Sequence, residues 1–319
     1  MNASLRFPNA VLRGFSQVML QTNPFTGVLF FMGIMATSLD MALLALLGNL
    51  IGLLSAFAIK RNIEDLVDGI YGFNGVLVGI AVYFLFAAQW SQSIWLFIAL
   101  VVFASALSTL LMAAFEHWNR LPAYTMPFVL STWVVVVLVN TLGWASGETT
   151  MTLPWLPAFI PEAAFLASFG VDISQASGPF LQYLATILRG VGQVMFQDSL
   201  VTGLIFLVAL SRSSNRVTAY AVLGAGLGGA MALSGGIAPL EVHHGLYGFN
   251  AVLTAIALAS VMKEKIHFTI MGVGLSVLIT WLFVALQWPS LTAPFVLATW
   301  AMILLHQLWQ QRQQKRAVS

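Results

Sequence analysis

The chain is a succession of long apolar runs separated by short polar breaks. A helix needs about 20 apolar residues to cross the hydrocarbon core, and fewer where neighbours enclose it. On that measure the runs predict crossings near 25–38, 41–59, 70–88, 94–115 and 124–145, followed by 200–211, 217–234, 246–262, 267–286 and 291–309. The expected fold is an all-α polytopic membrane protein with about ten transmembrane helices. One shorter apolar segment precedes each set. Leu12 to Thr22 would rise only about 16 Å as a helix and is cut off by Asn23-Pro24, and Leu188 to Gln197 is its equivalent further on. Neither can cross alone, so each is expected to be a re-entrant half-helix that dips in and turns back.

The runs are also written twice. GIYGFNGVL (Gly69 to Leu77) returns as GLYGFNAVL (Gly245 to Leu253), 176 positions later. LRGFSQVMLQTNPFTGVLF (Leu12 to Phe30) returns at the same offset as LRGVGQVMFQDSLVTGLIF (Leu188 to Phe206), and LPAYTMPFVLSTW (Leu121 to Trp133) returns as WPSLTAPFVLATW (Trp288 to Trp300). Three blocks in one order imply two homologous halves. Residues 1–150 form the first and 179–311 the second, with a Pro-rich external linker at 151–178 and a tail at 312–319. Because each half holds an odd number of crossings, the second copy is expected to lie upside down, related to the first by a pseudo-two-fold axis in the membrane plane. Each duplicated motif would then face mid-membrane once from either side.

Composition agrees with a membrane protein: 59% of residues are hydrophobic and 8% charged, against about a quarter charged in a soluble domain. The absence of cysteine excludes disulfides, thiol nucleophiles and thiolate metal sites. A formal charge of +2, with scattered basic residues, offers no footprint for nucleic acid. The N-terminal stretch lacks the basic, apolar and small-residue order of a cleavable signal peptide, so the first span is expected to do the targeting. Lys and Arg collect on the cytoplasmic side of span ends. Placing the N-terminus in the cytoplasm puts every basic residue except Arg189 on that face. Leu121 to Leu188 then suits the outside, with no Lys or Arg but with Glu148, Glu162 and Asp172. Both termini are expected to be cytoplasmic.

The polar residues inside the repeats are neutral: Gln17, Gln21, Asn74 and Thr125 in the first half, Gln193, Gln197, Asn250 and Thr292 in the second. Amides and hydroxyls donate and accept without changing charge near neutral pH, which fits an uncharged, hydrogen-bonding solute; bonding between helices is the other use of such residues. Pro122, Pro127, Pro289 and Pro294 interrupt the spans beside them and free carbonyls, tolerated at membrane depth only where they line protein or a cavity. Phe73 and Phe249, with Leu20 and Phe196 three residues beyond each Gln, are either core or the walls of a flat slot. The ionisable candidates, Asp40, Glu116, Asp198 and the group Glu241, His243 and His244, mostly fall at span ends. An ion-coupled carrier would need one of them inside the membrane, and Asp198 is the foremost candidate; the alternative is a vestibule acid. His243 and His244 read as a solvated loop rather than as metal ligands. No nucleophile–base constellation or phosphate loop clusters, so neither an enzyme nor a cofactor is expected. A non-transporting scaffold would account for the apolar composition but not for the duplicated polar positions.

The doubled LPxxTxPF-type signature, the doubled RGxxQVM block and the doubled YGFN together resemble the urea transporter family, over Leu12 to Trp300. The resemblance implies passive passage of urea through a narrow pore in each protomer of a homotrimer embedded in the lipid bilayer. For a bacterial member that bilayer is the cytoplasmic membrane. It also implies roles. Gln17 and Gln193 would bind urea at the two outer sites, and Phe73 and Phe249 would wall the slots opposite Leu20 and Phe196. Thr125 and Thr292 would offer hydroxyls at the constricted middle, narrowed by Val18, Val194, Leu77 and Leu253, while Asn74, Asn250 and the four prolines support the path. Trp288 departs from the signature leucine, and Leu20 breaks the aromatic symmetry that Phe196 keeps. The chemistry is consistent with urea, a flat neutral solute whose N–H donors and carbonyl must be re-satisfied as it loses water. Ammonia, other small amides and an ion-coupled mechanism remain alternatives.

Overall fold

The computed structural model describes residues 6–86, 94–118, 121–144, 179–262 and 265–318. The predicted linker, with Glu162 and Asp172, lies outside them, as does Glu148. The first half comprises α1 (Arg6–Gln17), α2 (Pro24–Thr37), α3 (Leu39–Ala58), α4 (Ile63–Val67), α5 (Phe73–Phe86), α6 (Ile94–Trp118) and α7 (Met126–Thr141). The second repeats this order. It has α8 (Pro179–Gly192), prolonged by a 3-10 turn at Gln193–Met195, then α9 (Leu200–Ser213), α10 (Asn215–Ser234), α11 (Pro239–His243), α12 (Phe249–Met262), α13 (Ile266–Ala285) and α14 (Ala293–Val318).

Every predicted crossing falls on a helix, but the helices differ in kind. Helices α3, α6, α10 and α13 are long and apolar enough to span a membrane alone. By contrast α2, α5, α7 and α12 are shorter apolar helices, and α8 and α9 make a broken pair bent by 77°. Helices α5, α7 and α12 begin two or three residues later than their apolar runs because each of those runs opens on a turn. Gly69 (φ +78°) and Gly245 (φ +77°) make that turn ahead of α5 and α12. A Cβ would lie 2.4 Å from the Gly14 nitrogen at the first position and 2.6 Å from the Gly190 nitrogen at the second, so glycine is required by both conformation and space. This is what the first residue of each doubled nonapeptide does: it lets the YGFN turn rest on the backbone of α1 or α8.

The two halves pack through contacts that exchange with their own repeats, as in a two-fold interface. Thr26 Oγ1 donates to Ala209 O at 2.9 Å, and its equivalent Thr202 Oγ1 donates to Gly33 O at 3.1 Å. Phe30 meets its own counterpart Phe206 edge to face, ring centroids 4.8 Å apart. Trp133 Nε1 donates to Pro289 O at 2.9 Å, and Trp300 Nε1 to Pro122 O at 2.8 Å. One buried apolar cluster runs through both halves, joining Phe30, Phe128, Phe206 and Phe295. Outward faces such as Leu43, Leu54 and Phe57 on α3 and Leu278 and Trp281 on α13 are exposed, as expected of surfaces solvated by lipid.

Candidate functional site

The site is built where α1 and α8 stop. Gln17 is the last residue of α1, and the chain reverses through Leu20 at φ +59°; in the second half Gln193 opens the 3-10 turn and Phe196 reverses it at the same φ of +59°. A left-handed conformation is uncommon for such side chains, and its recurrence marks a turn enforced by its surroundings. Asn23 then caps α2 through Phe25 N (2.9 Å), and Ser199 caps α9 through Thr202 N (3.2 Å). Neither half-helix therefore continues across. Both differ from expectation at their starts, since α1 already begins at Arg6 and α8 at Pro179.

The four repeated glutamines separate into two roles. Gln21 Nε2 donates to Met19 O (3.0 Å) and Leu20 O (2.9 Å), and Gln197 Nε2 donates to Met195 O (2.6 Å), so this pair ties the reversal to itself. Gln17 Nε2 instead donates to Asp68 O at 3.0 Å, and Gln193 Nε2 to His244 O at 3.0 Å. Those carbonyls can only accept, which orients each amide nitrogen toward them. Oε1 of Gln17 and of Gln193 is left with no protein partner among the described residues and can accept from a solute. The carbonyls belong to the residues just before the YGFN turns, so each turn positions its glutamine.

Phe73 and Phe249 are the first residues of α5 and α12 and are buried, as are Leu77, Leu253, Val18 and Val194. Beside them Asn74 Oδ1 accepts from Phe128 N at 3.1 Å, and Asn250 Oδ1 from Phe295 N at 3.1 Å. Each asparagine thereby satisfies an N–H in the first turn of α7 or α14, which has no partner within its own helix. Asn250 Nδ2 also donates to Leu291 O (3.2 Å), whereas Asn74 Nδ2 is buried without a partner.

The prolines behave differently from the expected interruptions. Pro127 and Pro294 sit in the first turns of α7 and α14, where a missing N–H costs nothing, and Pro122 and Pro289 lie in the preceding loops, their carbonyls bonded to the Trp indoles of the opposite half. They start helices rather than kink them. Between each pair of prolines the chain passes through a positive φ of +47°, at Tyr124 and at Leu291. This brings Thr292 Oγ1 to 2.7 Å from Thr125 Oγ1, both buried, a contact between a residue and its own repeat.

A cavity of about 370 Å³ in the first half gathers Gln17, Leu20, Phe73 and Pro122 with Phe115, Glu116 and Tyr124. On the second side Phe196 packs on Phe84 of the first half, ring centroids 5.1 Å apart. The charged groups stand around these turns. Arg13 Nη1 bonds Asp68 Oδ1 at 2.8 Å, and its equivalent Arg189 forms an ion pair with Asp198, Nε lying 3.2 Å from Oδ1 without a hydrogen bond. Asp198 also pairs with His244 Nδ1, and His243 Nδ1 lies 2.8 Å from Thr186 Oγ1. No group of three His, Cys, Asp or Glu residues is placed to hold a metal among the described residues.

One cluster escaped the reading of the sequence: Arg61, Tyr71 and Glu116, with Tyr71 Oη donating to Glu116 Oε2 at 2.6 Å and Arg61 Nη2 bonded to the same oxygen. Its members lie far apart in the chain, and the charged pair is not repeated, so no spacing announces it. The Tyr71 hydroxyl most of all holds the Arg61 guanidinium charged against the opposing effect of burial, and the bond to Glu116 adds to it. Burial, followed by the charges of Glu116 and Asp68, raises the carboxyl of Asp65 on α4.

Taken together these features define a polytopic helical membrane protein in which two repeated polar turns stand on either side of a shared threonine contact. The family described as Urea transporter matches residues 9–307, and the chain belongs to it. Urea transporter 1 of Rattus norvegicus is 29% identical over 317 residues, covering 94% of this chain and 77% of the relative. Urea transporter 1 of Mus musculus is 28% identical with the same coverage, and that of Ovis aries is 28% identical over 318 residues, 95% of this chain and 78% of the relative.

Proposed function

We propose that this protein conducts urea passively across a membrane, along a narrow path from the turn of one half to the turn of the other. Family membership supports the solute. The observation that carries the path is the matched pinning of Gln17 and Gln193, each held by Nε2 at 3.0 Å with Oε1 left unpartnered. Urea approaching either mouth exchanges water for this oxygen and enters flat between apolar walls, Phe73 and Leu20 on one side and Phe249 and Phe196 on the other. At the centre Thr125 and Thr292 give up their mutual bond to accept urea N–H groups, so that the desolvation cost of several kcal/mol is offset without tight binding. The exchanging contacts fit an inverted repeat with both termini in the cytoplasm. In this reading the protein works as a homotrimer, one path per protomer, in a bacterial cytoplasmic membrane.

Stopped-flow light scattering on proteoliposomes under a urea gradient, with glycerol as control and no ion gradient, tests the reading. Rapid urea flux, lost on Phe73→Ala or Phe249→Ala in folded protein, is expected. Flux that appears only with a proton or sodium gradient would replace the channel by a carrier with Asp198 at its centre, and no flux under any condition would remove urea as the solute.

A further inference from the structure

The cavity of about 370 Å³ beside Gln17 is walled mainly by apolar and aromatic groups, Phe73, Phe115 and Tyr124 among them, and its only charged lining residue is Glu116. The carboxylate is half committed. Oε2 takes both the Tyr71 hydroxyl and Arg61 Nη2, and Arg61 Nε donates to the Tyr71 oxygen at 2.7 Å, so the three side chains brace one another. Oε1 has no partner among the described residues. Partial exposure, 27% for the Glu116 side chain and 33% for Arg61, leaves the group reachable from solution. Because the pair is close to neutral overall, it does not act as a trap for cations. It instead presents one strong acceptor oxygen to a planar neutral molecule with N–H groups to donate.

The second half has no such group. At the repeat positions of Arg61 and Glu116 stand Ile237 and Phe283, and only Tyr247 matches Tyr71.

We propose that Glu116 Oε1 forms an outlying urea-binding site at the mouth of the first half, ahead of Gln17 and without an equivalent at the other mouth. This rests on the urea-transport reading above. Two urea nitrogens each direct one N–H away from the carbonyl on the same edge of the molecule, and these two donors converge on Oε1 while the flat face lies against the aromatic wall. Such a site has a distinctive kinetic signature. Permeability at low urea depends on the height of the central barrier above bulk solution, and a well outside that barrier leaves it unchanged. The well fills only as urea rises, lowering the half-saturating concentration and the maximal rate together while their ratio is kept.

The test is equilibrium exchange of isotopically labelled urea in proteoliposomes of the full chain, comparing the native protein with the double variant Glu116→Met/Arg61→Met. Removing both charges leaves neither unpaired, and Met keeps similar volume without an acceptor oxygen. The half-saturating urea concentration is expected to rise at least about three-fold, with the ratio of maximal rate to that concentration held within about two-fold. Exchange that stays proportional to urea in the native protein, or an unmoved half-saturation, overturns the site. A collapsed ratio assigns the brace to shaping the path instead. Crystals soaked in selenourea give a second readout independent of flux and of the variant's folding. Anomalous density within hydrogen-bonding reach of Glu116 Oε1 is expected in the native protein. Density beside Gln17 alone overturns this proposal and keeps the transport reading, whereas native protein without urea flux overturns the transport reading itself.

Discussion

The two halves agree closely in their buried hydrogen bonds and diverge in their ion pairs. Gln17 and Gln193, Asn74 and Asn250, Trp133 and Trp300 make the same bonds to within about 0.1 Å. At the periphery the correspondence fails: Arg13 is paired with Asp68, whereas Arg189 is paired with Asp198, an acid from a different turn, while His244 occupies the position equivalent to Asp68. The Arg61–Glu116 pair has no repeat at all. The difference teaches where matching is enforced. Losing the partner of a buried polar group costs about 1–3 kcal/mol, while half-exposed ion pairs contribute at most about 1 kcal/mol and can be reassigned freely.

The sharpest way to break the symmetry is at its hinges. Gly69→Val and Gly245→Val each force a β-branched side chain into a left-handed turn and into backbone 2.4–2.6 Å away, and either is expected to cost more than about 4 kcal/mol, seen as loss of monodisperse protein in detergent. Survival of one variant and not the other would mean that only one turn is essential. Next comes the threonine contact. Thr125→Val with Thr292→Val should lower urea permeability at least about ten-fold in folded protein, which needs only about 1.4 kcal/mol added to the barrier. The two single variants should agree within about three-fold if the middle is as symmetric as its geometry; unchanged flux in the double variant would take the threonine pair out of the conduction path.

Smaller effects sharpen the comparison further. Asn74→Ala and Asn250→Ala each leave the N–H of Phe128 or Phe295 unpaired, for about 1–3 kcal/mol in thermal or denaturant unfolding. Asn250→Ala should be the more costly, because that side chain also bonds Leu291 O while Asn74 Nδ2 has no partner to lose. Least of all, Asp68→Asn and Asp198→Asn remove part-exposed pairs and should change stability by less than about 1 kcal/mol, leaving urea flux within two-fold. A loss of flux confined to Asp198→Asn would single that acid out as part of the conduction machinery.

Much of this arrangement was legible beforehand, for identifiable reasons. Each apolar run coincides with a helix among the described residues, since membrane burial leaves few other places for uncharged sequence. Doubled motifs marked Gln17 with Gln193 and Thr125 with Thr292 as equivalent pairs. They did not separate Gln17 from Gln21, because both are glutamines at repeated positions and only the direction of each amide divides the pair that bonds the neighbouring turn from the pair that ties its own reversal. The prolines were expected to interrupt spans, and their true places escaped the sequence for a related reason: whether a proline breaks a helix or precedes one depends on where the helix starts.

The amino-acid order therefore settled what is local or periodic: membrane residence, the helical class, the duplication, and the neutral polar character of the repeated positions. Folding in three dimensions decided which of those positions meet. Thr125 reaches Thr292, Trp133 reaches Pro289, and Arg61 reaches Glu116 across separations that no local pattern encodes. Each of these contacts depends on close packing between helices far apart in the chain, where an unpaired buried group would be costly, so the partner is chosen by geometry rather than by spacing.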